Sequence, residues 1–158
     1  MSQFRIEKHR AEAEVTLSTG AVVHGWFFLA ESAPIHVGPE RIGDLLNAEI
    51  GFIPFETEHD TPDDTLLLNR AHVITVKLLE RPAEARLEPG YEVAPERHVA
   101  MLLTNGARLT GAIRVYRPAG RDRVSDYTRS PEVFRYVENE DGSVLVNSAH
   151  IVELRETR

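Results

Sequence analysis

Cysteine is absent from this chain. That removes disulfide staples, thiolate nucleophiles and thiolate metal sites together. Lysine is almost absent: only Lys8 and Lys77 occur, so arginine carries nearly all the positive charge. No apolar run approaches the roughly 20 residues that a bilayer-spanning helix requires, and the opening stretch MSQFRIEKHRAEAEV has no apolar centre of the secretory-signal kind. The expectation is a cytoplasmic protein that does not enter the membrane. Catalytic signatures are missing as well. There is no Gly-x-Ser-x-Gly elbow, no glycine-rich phosphate loop before a helix and no His-Glu-x-x-His. The seven histidines are scattered, and His36 and His59 have no partner at a telling spacing. These absences point to a protein that is no enzyme and carries neither cofactor nor metal.

What is present suits a soluble globular protein: 42% of residues are hydrophobic and 27% charged, which leaves enough apolar material for a packed core. The net charge of -7 argues against a protein that coats nucleic acid, because phosphate binding is driven by a cationic surplus. The charge is uneven. Residues 1–80 carry 6 basic and 13 acidic side chains, whereas residues 81–158 carry 12 of each. Within the second half, seven arginines face three acids between residues 108 and 135.

The sequence repeats itself, and a repeat governs the whole fold reading. EVTLSTGAVVHGWFFL aligns with AMLLTNGARLTGAIRV, which places Gly20 on Gly106 and Gly25 on Gly111 at an offset of 86. RIGDLLNAEIGFIPF aligns with RVSDYTRSPEVFRYV at an offset of 82, matching Arg41 to Arg123, Asp44 to Asp126 and Phe52 to Phe134. LLLNRAHVITV aligns with VLVNSAHIVEL at an offset of 78, matching Asn69 to Asn147 and His72 to His150. The shrinking offset marks loop-length differences between ordered blocks. The organisation is therefore a first unit over residues 1–80, a Pro- and Glu-rich linker over 81–96, and a second unit over 97–158.

Each unit reads as five short strands. Period-two alternation puts Val23, Gly25, Phe27 and Leu29 on one face of the first copy, and Leu109, Gly111, Ile113 and Val115 on the same face of the second. Those faces are the expected cores. Asn105-Gly106 is a strong hairpin signal because both residues accept positive φ, and a glycine inside a strand marks a sharp bend or bulge. The expected fold is all-β, two small closed SH3-like barrels with little helix. PERIGDLLN (39–47) is the strongest helix candidate, but its repeat partner RVSDYTR leans to strand. On the opposite strand face the copies differ: Val22, Trp26 and Phe28 in the first against Arg108, Ala112 and Arg114 in the second. The apolar set is a candidate interaction face, to be covered by the other unit, the linker or another chain.

These blocks resemble the Sm-like proteins, the family that includes bacterial Hfq. The family's first motif is a hydrophobic strand, a glycine turn, a strand with a second glycine, then Asp-x-hydrophobic-Asn; here it falls on Leu17, Gly20, Gly25 and Asp44 to Asn47. Its second motif falls on LNRAHV (68–73) and VNSAHI (146–151). The chain is also similar to bacterial proteins with an Arg-x-x-Asp block, a Phe and a later Asn-x-x-His. The resemblance implies tandem Sm-like barrels and a homo-oligomer, three chains making a ring of six units. It also implies an RNA or nucleotide pocket between units, lined by Asn47, Asn69, Arg70, Arg129 and Asn147. The chain departs from the family where Arg129 stands in place of Asn and where Asn69-Arg70 and Asn147-Ser148 replace Arg-Gly, so the fold carries over better than the RNA site.

Two further binding readings come from the residues. Arg117, Arg121, Arg123 and Arg129 offer forked donors suited to phosphates, with the Arg117-x-x-x-Arg121 spacing of PilZ domains but without their downstream partner segment. The acidic run ETEHDTPDD (56–64) offers oxygen ligands for a hard cation, and equally a hairpin tip. The repeated pairs Asp44/Asp126, Asn69/Asn147 and His72/His150 admit a structural role, in which Asp and Asn shape turns by accepting backbone N–H bonds. The leading function is protein interaction and assembly, and RNA or nucleotide binding is the alternative.

Overall fold

The structure is a computed structural model that describes residues 8–30, 40–48, 50–61, 64, 66–80, 83–116 and 123–157. Each unit opens with a hairpin built on the predicted alternation. β1 (Lys8–Leu17) pairs antiparallel with β2 (Val22–Ala30), setting Ala11 opposite Phe27 and Val15 opposite Val23. β6 (Glu96–Leu103) pairs with β7 (Arg108–Arg114), setting Met101 opposite Leu109. Both turns close in the same way. Gly106 donates its N–H to Leu103 O at 2.9 Å, and Gly20 donates to Leu17 O at 2.9 Å. Only the glycine takes positive φ, 83° at Gly106 and 91° at Gly20, and no described non-glycine residue does. Asn105 therefore serves differently from the sequence expectation: its side-chain oxygen accepts the Ala107 N–H at 3.0 Å, as Thr19 does for Ala21.

After the hairpin each unit makes a short helix and three strands. The first unit has α1 (Ile42–Ala48), β3 (Phe52–Thr57), β4 (Leu66–Asn69) and β5 (Val73–Leu78). The second has α2 (Val124–Tyr127), β8 (Phe134–Asn139), β9 (Gly142–Asn147) and β10 (Ile151–Glu156). Both helices exist, including the one whose sequence leans to strand. The repeated Arg-x-x-Asp starts them: Asp44 accepts the Arg41 N–H at 2.9 Å, and Asp126 accepts the Arg123 N–H at 3.1 Å. A carboxylate returning to a free N–H at a helix start offsets weak propensity. One-turn 3-10 segments at Arg70–His72 and Ser148–His150 join β4 to β5 and β9 to β10.

The strands do not form two separately closed barrels. They form one antiparallel ten-stranded sheet in the order β10-β6-β7-β8-β9-β5-β1-β2-β3-β4, open at β10 and β4. The reason is the pairing of β5 with β9, which sets Thr75 opposite Val146, Val76 opposite Leu145 and Lys77 opposite Val144. An unpaired strand edge presents bare N–H and C=O groups, and here each unit covers one such edge of the other.

The expected core faces hold. Phe27, Leu29, Ile113 and Val115 are buried. Gly25 and Gly111 are required for close approach: a Cβ at Gly25 would lie 2.0 Å from Glu56 O, and one at Gly111 2.4 Å from Glu138 O. Two apolar clusters result, one per unit, and each borrows from the other. Phe134 and Leu145 of the second unit sit in the first core, and Ile74 of the first unit sits in the second. No helix among the described residues is long and apolar enough to cross a membrane.

Candidate functional site

The junction between β5 and β9 gathers four of the sequence-predicted residues, Asn47, Asn69, Arg70 and Asn147. β9 is buried on both faces, because Leu145 enters the first core and Val146 the second. On β5, the partner register with β1 slips between Leu17 opposite Val73 and Thr16 opposite Thr75, leaving Ile74 as a bulge residue. A bulge re-aims a side chain, and Ile74 enters the second core. Burying side chains such as Phe134, Leu145 and Ile74 stabilises the junction by about 1.5–3 kcal/mol each.

Polar groups fasten the same seam. Asn47 at the end of α1 clamps the backbone of Phe134, donating to its carbonyl at 3.0 Å and accepting its N–H at 2.8 Å. Asn147 accepts the Ala149 N–H at 3.0 Å and donates to Val73 O at 3.0 Å. Asn69 accepts the Ala71 N–H at 3.1 Å. The Arg70 guanidinium lies 5.8 Å from the Phe134 ring centroid, where the face of the ring attracts a cation. His72 and Ser18 hydrogen-bond at 2.8 Å, and His150 and Thr104 repeat the contact at 2.7 Å. His150 also reaches across the seam, with Nε2 2.7 Å from Ala71 O. Asn47, Arg70 and Asn147 are thus brought together, with their side chains directed at backbone and ring atoms of this chain.

The two ends of the sheet repeat this chemistry without a partner strand among the described residues. Leu67 on β4 is the repeat equivalent of Leu145; it is 49% exposed, whereas Leu145 is fully buried. Phe52, equivalent to Phe134, is 59% exposed against 1%. Val152 on β10 is equivalent to Ile74, and it is 59% exposed against 1%. Even the bulge recurs, since the register of β10 with β6 slips at Val152 as that of β5 with β1 slips at Ile74.

The remaining predicted residues lie elsewhere. Arg123 stands exposed at the start of α2, and Arg129 is exposed just beyond it. Arg117 and Arg121 lie outside the described residues, as does His36. Trp26 and Phe28 are half-buried, and Val22 is exposed. The cover over Trp26 comes from its own hairpin: Arg10 stacks 4.3 Å from its ring centroid and His24 meets it edge-on at 5.4 Å. The linker runs elsewhere, held to the start of α1 by Glu84 and to the second unit by Tyr91, which hydrogen-bonds Glu138 at 2.7 Å and packs under Arg114 at 4.3 Å. In the acidic run, Asp60 and Asp64 accept the Thr57 and Thr61 N–H groups, as turn residues do. No group of three His, Asp or Glu side chains among the described residues is placed to hold a metal ion.

Two features escaped the sequence reading. His24 lies between two carboxylates, bonding Glu12 at 2.7 Å and Glu58 through its other ring nitrogen. Glu12 first, with Glu58, raises the imidazole pKa above its ordinary 6.5. The second is Glu84, a linker carboxylate that is buried and accepts the Ile42 N–H at 2.6 Å, the Gly43 N–H at 3.2 Å and the Tyr136 hydroxyl at 2.7 Å. Burial raises its pKa despite those donors.

No protein-family model, curated protein or solved structure matches the chain.

Proposed function

We propose that the chain is a non-enzymatic assembly module, a tandem of Sm-like units that joins further copies of itself head to tail through β4 and β10. One observation carries the reading. The apolar residues bare at the two ends, Phe52, Leu67 and Val152, are the repeat equivalents of Phe134, Leu145 and Ile74, which cross the internal junction and are buried there. What one unit does to the other within the chain, β4 of one copy can do to β10 of the next. The offset of 78 residues carries the internal register over to the contact between copies: Leu68 opposite Glu153, Leu67 opposite Leu154 and Leu66 opposite Arg155. Asn69 then takes the part of Asn147, and His72 that of His150. Because the two ends are different surfaces, the contact is heterologous and either closes a ring or runs on as a filament. Three chains, six units, make the ring that the Sm-like resemblance implies, with each five-stranded half acting as one SH3-like barrel.

RNA binding has less support in the geometry. The amides of Asn47 and Asn147 are engaged with the backbone, and Arg70 is stacked on Phe134. Salt-sensitive binding of a short single-stranded RNA, lost when Arg121 and Arg123 are changed to Ala, would favour that alternative.

Sedimentation velocity over a range of concentrations tests the proposal. The wild type sediments with the mass of three chains, and Leu67→Lys and Val152→Lys each shift it to the mass of one while keeping cooperative unfolding. A wild type that stays single at every concentration, or lysine variants that associate as it does, would refute the head-to-tail contact.

A further inference from the structure

The two units differ most sharply where β2 carries Trp26 and Phe28 and β7 carries Ala112 and Arg114. The positions are equivalent in register as well as in sequence: Trp26 stands opposite Glu56, and Ala112 opposite Glu138, its repeat counterpart. In the first unit the indole fills the outer face under Arg10. In the second unit a methyl group stands there, and the linker passes over the face through Ala85, Glu88 and Tyr91. Beneath the linker, between α1, β7 and β8, lies a cavity of about 600 Å³. That volume is within the roughly 300–1,000 Å³ of small-molecule sites. Space on this scale lies where the second unit carries one of the smallest side chains in place of the largest.

The walls define what fits. Tyr91, Tyr116, Tyr127, Phe134 and Tyr136 supply aromatic faces and edges, surfaces on which a flat ring packs well. Arg41 and Tyr127, both more than nine-tenths buried, also line the cavity. Burial pushes the Tyr127 phenol up to about 12, so it remains a donor at neutral pH. The walls are not an anion trap. Three guanidiniums are set against four carboxylates, and the guanidiniums are already engaged: Arg41 with Asp44 and Glu88, Arg114 with Glu96, and Arg135 with backbone carbonyls. A multiply charged phosphate would bring more negative charge to a wall with no cation to spare for it.

We infer that this cavity is a binding site for a planar aromatic small molecule of low charge. The site is made within one chain and uses none of the end residues of β4 and β10, so it stands independently of self-assembly. Phosphorylated nucleotides are poor ligands, and the ring enters beside Ala112 among the aromatic side chains of the wall.

Calorimetric titration with 2-naphthoate, located by amide NMR shifts, tests the site. The expected result is saturable binding with shifts at Tyr91, Ala112 and Glu138. Ala112→Trp, which gives the second unit the side chain of the first, weakens binding at least tenfold, and ATP binds at least tenfold more weakly than naphthoate. Absence of saturable binding, equal affinity in Ala112→Trp, or ATP binding as tight as naphthoate overturns the inference. Should Ala112→Trp fail to fold, Ala112→Leu takes its place, with the same required loss of affinity.

Discussion

Glu84 shows how one side chain can hold the linker to the first unit. Its carboxylate serves two N–H groups at the start of α1 and a phenol from β8, yet desolvation keeps its pKa above the ordinary 4.5. A raised carboxylate favours the protonated form in the fold, so the stability it contributes is present below pH 4.5 and is lost as pH rises through the higher folded value. Glu84→Gln keeps the shape and removes the charge. Its stability relative to the wild type is expected to rise as pH rises from 4.5 toward neutrality, read from paired thermal unfolding curves. Glu84→Ala is expected to be destabilising by about 1–3 kcal/mol because it strands buried donors. His24 gives a pH dependence of the same sign, because its pKa is also raised. An imidazolium held by Glu12 and Glu58 contributes stability below pH 6.5 and loses it as pH rises through the raised value. An NMR titration should place the His24 midpoint above 6.5, and Glu12→Gln should bring it down; a midpoint that ignores Glu12 would contradict the geometry.

At the level of elements, the crossings of β2 over β3 and of β7 over β8 depend on glycine. Gly111→Ala forces a Cβ against Glu138 O, and overpacking of this kind is destabilising by roughly 1–3 kcal/mol. Denaturant midpoints of Gly111→Ala and Gly25→Ala should both fall, whereas Gly→Ala in an unstrained strand would gain backbone stability. Alternation and turn residues made the hairpins and core faces legible in the sequence, because period two depends only on neighbours. The helices were half legible. RVSDYTR has β-leaning residues, and the Asp126 return to the Arg123 N–H outweighs that preference over only four residues. Asp44, Asp126, Asn69 and Asn147 are repeated because they accept backbone N–H groups at the same turns in both units. The Glu12–His24–Glu58 contact was not legible: it joins two strands and the turn after β3, and only the pairing of those strands brings these residues together.

The whole molecule is one sheet where the sequence suggested two closed ones. Nothing local in β5 or β9 announces that they pair, and the repeat alignment alone leaves open whether the units touch. The alignment does, however, set Phe52 on Phe134, and exposure then separates the buried member of each pair from the bare one. That contrast marks the two ends that the proposed head-to-tail contact joins, one carrying Phe52 and Leu67, the other Val152. The most direct test blocks one end at a time and then combines the halves. Leu67→Lys leaves β10 competent, and Val152→Lys leaves β4 competent. Each variant alone is expected to sediment as a single chain, and an equimolar mixture as a one-to-one pair. A mixture that remains single chains, or either variant associating with itself as strongly as with the other, would contradict head-to-tail assembly.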